Sequence, residues 1–430
     1  MPLAVLTLSP WLALLLAVPV WSLGLWVVAH VRALRRFSVP APVIGGLIVA
    51  LSLLLGRTLG LGECRIETGT AHRVWTWLVT AEPDWVKAPV KGVHLPLLAA
   101  FFACVGLNAS WRLVRGAGRQ VLLFLGAAAL LAVIQNGVGL GLASLLGVSP
   151  LLGLVCGSMS LTGGHATTLG FAAEFERAGL VGAQTFGLAA ATFGLVAGAV
   201  LAGPLGSLLI RRNRLVPQRE ENNARWDPSV IGRGGPVSSE TGSVLRTTMI
   251  SLLLLAICLK GGAWISFLLQ RTGLVLPVFV GTLMAGVMVR NVLDALRLSW
   301  FEPRTLEVFG SVALALFLVT TMMTLNLAEL AYSAGPMLVI LGAQCVITLA
   351  FAGWLTFRWV GRDFDGAVMA AGHCGFGLGS TATAVAAMKA LTEAEGPAPR
   401  AFLVVPLVGG FLVDLVNAIN LTAFITLVSS

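Results

Sequence analysis

The chain has 430 residues, of which 57% are hydrophobic and only 11% charged, against about 25% charged in a typical soluble domain. A water-soluble fold cannot hide that much apolar surface, so a cytosolic enzyme is excluded. The formal charge of +9 does not indicate nucleic acid, because the basic residues fall between long apolar runs, where positive charge sets membrane orientation.

The runs are about 20 residues long, enough to cross ~30 Å of hydrocarbon as helix. Their continuity argues against an outer-membrane barrel, whose strands alternate apolar and polar residues. In chain order the predicted spans lie at about 6–30, 39–56, 93–110, 120–146, 185–210, 247–270, 273–289, 307–327, 336–357 and 401–428. The N-terminal run MPLAVLTLSPWLALLLAVPVW has no basic leader and reads as a first span, not a cleaved signal. The six cysteines are scattered singly, so neither a disulfide framework nor a zinc site is expected.

Two further segments, about 151–173 and 365–388, are apolar but interrupted by glycine. Treated as hairpins that enter and leave on one side, they let the charges sort. One set of loops then holds 20 basic residues, among them Arg32, Arg35, Arg36, Arg112, Arg115, Arg119, Arg219, Arg225, Arg233, Arg358 and Arg400. The other holds 7, including Arg57, Lys87 and Arg271, and Lys260 falls inside a span. The positive-inside rule puts the first set in the cytoplasm and both termini outside. The reading is an all-α polytopic membrane protein with an N-terminal repeat 1–210, a cytoplasmic linker 211–246 and a C-terminal repeat 247–430. Each repeat has five transmembrane helices and a re-entrant hairpin. Five is odd, so the repeats are inverted, as in many secondary transporters. Leu107-Asn108 with Gly118, and Leu325-Asn326 with Gly335, form a weak sequence echo between the halves.

The two interruptions read Gly157-Ser-Met-Ser-Leu-Thr-Gly-Gly-His-Ala-Thr-Thr168 and Gly372-His-Cys-Gly-Phe-Gly-Leu-Gly-Ser-Thr-Ala-Thr383. Glycine costs up to ~1 kcal/mol inside a helix relative to alanine. Gly372 to Gly379 should therefore not form a regular helix. Non-helical backbone at membrane depth survives only where protein or water satisfies it. Free N–H groups at half-helix starts attract a carboxylate, and carbonyl ends suit a cation. Hydroxyls on Ser160, Thr162, Thr167, Thr168, Ser380, Thr381 and Thr383 add neutral donors and acceptors. The pattern fits a small anion with a hard cation such as Na⁺. Close packing of Gly-kinked helices is the alternative.

Eighteen of the 19 acidic residues map to loops, hairpin ends or span edges; Asp414 is the exception. A carboxylate inside a span costs ~2.5–3.5 kcal/mol on insertion scales. Asn417, three residues on, shares its helix face. The pair is read as a cation ligand or a support for the second hairpin, with a structural hydrogen bond as the alternative. Gln135-Asn136 is a similar polar notch. His165 and His373 either donate to a substrate carboxylate or hold a hairpin tip through a backbone carbonyl. Lys260 and Arg290 read as snorkelling side chains.

Ala371-Gly-His-Cys-Gly-Phe-Gly-Leu-Gly379, Ala401-Phe-Leu-Val-Val-Pro406 and Asp414-x-x-Asn417-Ala418 resemble the second half of the bacterial sodium/glutamate symporter family. Pro40-x-Pro42-x-x-Gly45-Gly46, Ala100-Phe-Phe-Ala103, Gly106-Leu-Asn-Ala109, Gln135-Asn136, Ala143-Ser-Leu-Leu-Gly147, Gly163-Gly-His165 and Ala191-Thr-Phe-Gly-Leu195 resemble its first half. The resemblance implies sodium-coupled uptake of L-glutamate across the bacterial inner membrane by elevator-like alternating access. It also implies a ten-span inverted repeat, a homodimer, no cofactor, and Na⁺ as the coupling ion. It departs from the family at Thr162-Gly-Gly-His-Ala166-Thr167-Thr168, where the family reads S-G-G-H-G-T-G, and at Ala41, where the family has an acidic residue.

Taken together, substrate is expected at Ser160, Thr162, Gly163, Gly164, His165 and Thr167, and at His373, Gly375, Gly377, Gly379, Ser380 and Thr381. Sodium is expected at Asp414, Asn417, Asn136 and Thr383, and no transition metal. The same scaffold could instead carry another small dicarboxylate or amino acid, with Na⁺ or H⁺ coupling. A channel is disfavoured by the paired breaks. An intramembrane enzyme using His165 or His373 with Asp414 lacks a nucleophile-and-base pattern.

Overall fold

The computed structural model describes residues 5–32, 34, 39–60, 63–81, 91–217, 241–271, 277–298, 302–325 and 327–429. Most of the expected linker lies outside the described residues, as do Arg35, Arg36, Lys87, Arg219, Arg225 and Arg233 of the orientation argument.

In the N-terminal half the helices are α1 (Pro10–His30), α2 (Ala41–Thr58), the short α3 (Arg73–Leu78), α4 (Leu95–Leu107), α5 (Trp111–Leu145), α6 (Pro150–Leu154), α7 (Gly164–Arg177) and α8 (Ala183–Asn213). In the C-terminal half they are α9 (Thr241–Arg271), α10 (Val278–Ala295), α11 (Pro303–Met323), α12 (Leu327–Phe351), α13 (Phe364–Leu378), α14 (Thr381–Glu395), α15 (Pro399–Leu407) and α16 (Val413–Ser429). Wide π-type turns at Val155–Met159, Ala352–Thr356 and Val408–Leu412 follow α6, α12 and α15. Proline opens α1, α2, α4, α6, α11 and α15, where its missing N–H would have had no helical partner anyway.

Among the described residues eight helices are long and apolar enough to cross a membrane. A ninth is counted if Pro399–Gly410 and Val413–Val428, bent by 40° at their junction, form one span. The span expected at about 93–110 is instead the 13-residue α4, roughly 20 Å long at 1.5 Å per residue. It stops at Asn108, where Ala109 and Ser110 turn the chain.

Two short ladders escaped the sequence reading. β1 (Val5–Leu8) pairs in parallel with β2 (Glu63–Ile66), and β3 (Gly69–Thr70) pairs antiparallel with β4 (Lys91–Gly92). The first helix therefore starts at Pro10 rather than near residue 6. Ser9 caps it, its Oγ accepting from the Leu12 N–H at 3.3 Å, and this leaves Val5–Leu8 extended.

A second departure concerns Gly372–Gly379. The segment is helical through Leu378, and only Gly379 (φ −144°, ψ −84°) and the extended Ser380 interrupt it. Packing outweighs propensity here. A Cβ at Gly375 would come 2.7 Å from the Ala384 Cα, and one at Gly372 would come 2.7 Å from the Met388 sulfur. The glycines let α14 approach α13 closely.

The chain forms two compact units, each built from a block of either half. The first comprises Met1–Arg35, Val39–Ser110 and Thr241–Tyr332; the second comprises Arg36–Ser38, Trp111–Glu240 and Ser333–Ser430. In the first, α4 and α10 touch backbone to backbone, since a Cβ at Gly286 would come 2.6 Å from the Ala103 carbonyl oxygen. Lys260 does not simply reach for water. Its Nζ donates to the carbonyls of Trp77 (3.0 Å) and Thr80 (2.5 Å) and sits 4.6 Å from the Trp77 ring centroid. It thus satisfies carbonyls at the end of α3. Arg290 Nε bonds Asp294 Oδ2 at 3.2 Å, and the same oxygen accepts from Ser110 Oγ at 2.5 Å.

Candidate functional site

Both glycine-rich segments lie in the second unit. In the first, α6 runs into its wide turn, the helix is lost at Gly157 (φ −98°, ψ −139°), and it resumes at Gly164. Gly157 makes room for the polar notch of α5, because a Cβ there would lie 2.7 Å from Asn136 Oδ1. The opened backbone is satisfied by side chains. Asn136 Oδ1 accepts from the Ser158 N–H at 2.9 Å, and Asn417 Nδ2 donates to the Ser158 carbonyl at 3.0 Å. Buried non-helical backbone demands such partners.

Gln135 joins this segment to the second one. Its Oε1 accepts from Thr162 Oγ1 at 2.7 Å. Its Nε2 donates to the Gly377 carbonyl at 2.7 Å and reaches Thr348 Oγ1 at 3.3 Å. Its own carbonyl accepts from Gln344 Nε2 at 2.6 Å. All four side chains are buried.

In the second segment Ser380 caps α14, its Oγ accepting from the Thr383 N–H at 3.2 Å and lying 3.0 Å from Thr383 Oγ1. Thr381 Oγ1 donates to the Gly409 carbonyl in the turn after α15. The two breaks meet. Gly164 has φ +63°, and a Cβ there would lie 3.1 Å from the Gly379 carbonyl oxygen. α8 backs the junction, with Gly194 against the Leu378 carbonyl and Gly187 against the Thr168 methyl.

The expected substrate residues fall into three groups. Gly163, Gly164, His165, Gly379, Ser380 and Thr381 lie at the meeting breaks. Ser160, Thr162 and Thr167 are buried behind the first break; Ser160 Oγ lies 3.2 Å from Thr168 Oγ1. Gly375 and Gly377 lie within α13, and His373 sits six residues before its break, fully buried. The His373 ring stacks on Phe376 at 4.9 Å and has Phe124 at 5.3 Å and Phe351 at 5.9 Å. Its Nδ1 bonds Thr356 Oγ1 at 2.7 Å. His165 Nε2 bonds Thr192 Oγ1 of α8 at 3.1 Å. Of the expected sodium residues, Asn136 and Asn417 converge on Ser158, Asp414 lies one turn before Asn417 on α16, and Thr383 belongs to the cap of α14.

Sequence reasoning missed Ser158, Thr192, Gln344, Thr348 and Thr356 as partners. Gln344 and Thr348 carried a signal, as polar side chains amid an apolar run. Ser158 and Thr192 had none beyond their place in longer motifs.

A sequence-family model described as sodium/glutamate symporter matches residues 6–73 and 86–397. The chain belongs to the sodium/glutamate symporter family. A relative named sodium/glutamate symporter from Escherichia coli (strain K12) is 40% identical over 410 residues, covering 94% of either chain, and one of that name from Shigella flexneri matches equally. The Haemophilus influenzae protein of the same name is 36% identical over 415 residues, 96% of each chain. Membership of this symporter family, with the apolar helices, makes the chain a multi-pass membrane transporter and not an enzyme.

Proposed function

We propose that the chain carries L-glutamate across the bacterial inner membrane by symport with Na⁺, with glutamate bound where the two glycine-rich breaks meet and Na⁺ at the opened backbone of the first. Family membership supports the transported pair. The observation that carries the location is the approach of Gly164 to the Gly379 carbonyl. It brings together the N-terminal ends of α7 and α14 and the carbonyl end of α13. Helix N-termini offer unpaired N–H groups and positive partial charge to substrate carboxylates, and carbonyl ends favour a cation.

For sodium, Ser158 joins Asn136, Asn417 and Asp414. Ser158 Oγ and Asn417 Oδ1 are buried oxygens without a hydrogen-bond partner among the described residues. A hard cation takes oxygen ligands, and two such orphans beside an opened backbone suit Na⁺. Asp414 supplies the negative charge. Thr383, engaged with Ser380, lies on the substrate side.

The departures at Ala166 and Thr168 leave glutamate as the cargo. The Thr168 hydroxyl bonds the Gly164 carbonyl at 2.7 Å, and its methyl fills the space at Gly187. Its extra atoms are spent inside the fold. The two segments act as oppositely facing re-entrant hairpins of two inverted repeats, with both termini outside and the linker in the cytoplasm. The second unit carries its load by elevator-like alternating access, in a homodimer. Only the fully loaded or empty site crosses readily, since a lone buried charge is costly.

Proteoliposomes loaded with labelled L-glutamate outside test this. Uptake should follow an inward Na⁺ gradient and collapse when K⁺ replaces Na⁺. Uptake indifferent to Na⁺ rejects the coupling.

A further inference from the structure

We infer that Thr192 fixes the tautomer of His165 and so makes this histidine the acceptor for the substrate's ammonium group, which selects amino acids over their keto and hydroxy counterparts. The inference rests on glutamate binding at the meeting breaks.

A hydroxyl has one proton to give. Thr192 Oγ1 donates its proton to the Leu188 carbonyl at 2.8 Å, one turn back on α8. Towards His165 it can then only accept, so the imidazole Nε2 at 3.1 Å must carry the ring hydrogen. A neutral imidazole has one donor and one acceptor nitrogen, and the partner of one decides the role of the other. No acidic side chain pairs with His165 among the described residues, so nothing there holds a second proton on the ring. Nδ1 is left as a lone pair, without a protein partner among the described residues.

His165 is the second residue of α7, directly after Gly164, whose backbone approaches the Gly379 carbonyl. The N–H groups at the breaks are donors and suit carboxylates. An ammonium needs acceptors. Nδ1 supplies one, with the nearby carbonyl edge. A keto oxygen at the same point would set lone pair against lone pair, and a hydroxyl would bring no charge. His373 is bonded through the opposite nitrogen to Thr356 inside an aromatic cage, so it does not duplicate this role. Thr192 is a positioning residue: it acts through His165.

The test compares wild type, Thr192→Val and Thr192→Ser in proteoliposomes. It measures Na⁺-driven L-glutamate uptake and inhibition by 2-oxoglutarate and L-2-hydroxyglutarate. In the wild type both analogues should bind at least about 100-fold more weakly than glutamate, since a site built for a substrate N–H group rejects the analogue lacking it. Thr192→Val keeps the volume but removes the acceptor. It should raise the glutamate KM about tenfold, the scale of one hydrogen bond to a charged group, with maximal velocity within about twofold. The analogues should lose little, so the gap narrows to about tenfold. Thr192→Ser should restore wild-type discrimination. Equal weakening of glutamate and both analogues in Thr192→Val, or a Thr192→Ser variant as indiscriminate as Thr192→Val, would overturn the assignment. Wild-type protein with no Na⁺-driven glutamate uptake would instead remove the underlying function, and this inference with it.

Discussion

The two glycine-rich segments share a vocabulary of glycine, histidine and hydroxyls, yet they break differently. The first loses helix over Gly157–Gly163; Asn136 and Asn417 from other helices satisfy the backbone opened at Ser158, and Gln135 holds the Thr162 hydroxyl. The second stays helical up to Leu378 and breaks only at Gly379–Ser380, with its own serine as the cap. The long break draws its partners from other helices; the short one is capped by its own serine and takes one outside donor, Gln135, at the Gly377 carbonyl. The histidines follow the same division. His165 stands at the junction on a half-buried threonine, while His373 is packed among phenylalanines.

Removing the residue that serves both breaks should have the largest effect. Gln135→Ala strands the Gly377 carbonyl and the Thr162 hydroxyl, at about 1–3 kcal/mol for each buried group. The expected result is a lower thermal midpoint of the detergent-solubilised protein and loss of uptake. Gln135→Glu keeps the Thr162 bond but not the donation to Gly377, and it should fall between.

Gly194→Ala drives a methyl into the Leu378 carbonyl and should cost about 1–3 kcal/mol as overpacking. Gly137→Ala is the contrast, since nothing lies within 4 Å of its Cβ position. There helix propensity alone should stabilise, by up to ~1 kcal/mol. Equal responses of the two variants in thermal melts would refute the close approach of α8 to the second break.

Asn417→Ala probes the first break alone. It removes one orphaned oxygen and the donor to Ser158 together, and the Na⁺ concentration for half-maximal uptake should rise about tenfold. Ser158→Ala, which leaves that backbone bond intact, should raise it less. If glutamate affinity changed and Na⁺ affinity did not, the ion would have to be placed elsewhere.

The smallest effect is expected for His373→Phe. The ring keeps its aromatic neighbours and loses the Thr356 bond, at about 1 kcal/mol net, with glutamate KM nearly unchanged. A large rise in KM would bring His373 into the substrate site.

Much of the candidate site was legible in the chain. Glycine and hydroxyl clusters at corresponding places in two apolar halves located both breaks, and Asp414 and Asn417 stood out because carboxylates and amides are rare within spans. The extent of the second break was misread, because propensity weighs each glycine alone. In the structure Gly372 and Gly375 are seats for neighbouring atoms of α14 and α15, and that packing keeps the helix intact. The ladder of Val5–Leu8 with Glu63–Ile66 was invisible because its strands lie far apart in sequence and each is only four residues long.

By itself the sequence determined that the chain lives in a bilayer, where helices fall, and which stretches cannot be ordinary spans. These follow from hydrophobicity and backbone hydrogen bonding, which act locally along the chain. Only the tertiary structure decided that Ser158 gathers Asn136 and Asn417, that Gln135 ties one break to the other, and that Thr192 rather than a carboxylate faces His165. Those pairings span up to 259 positions, and no local rule selects one buried partner over another until close packing brings them within bonding distance.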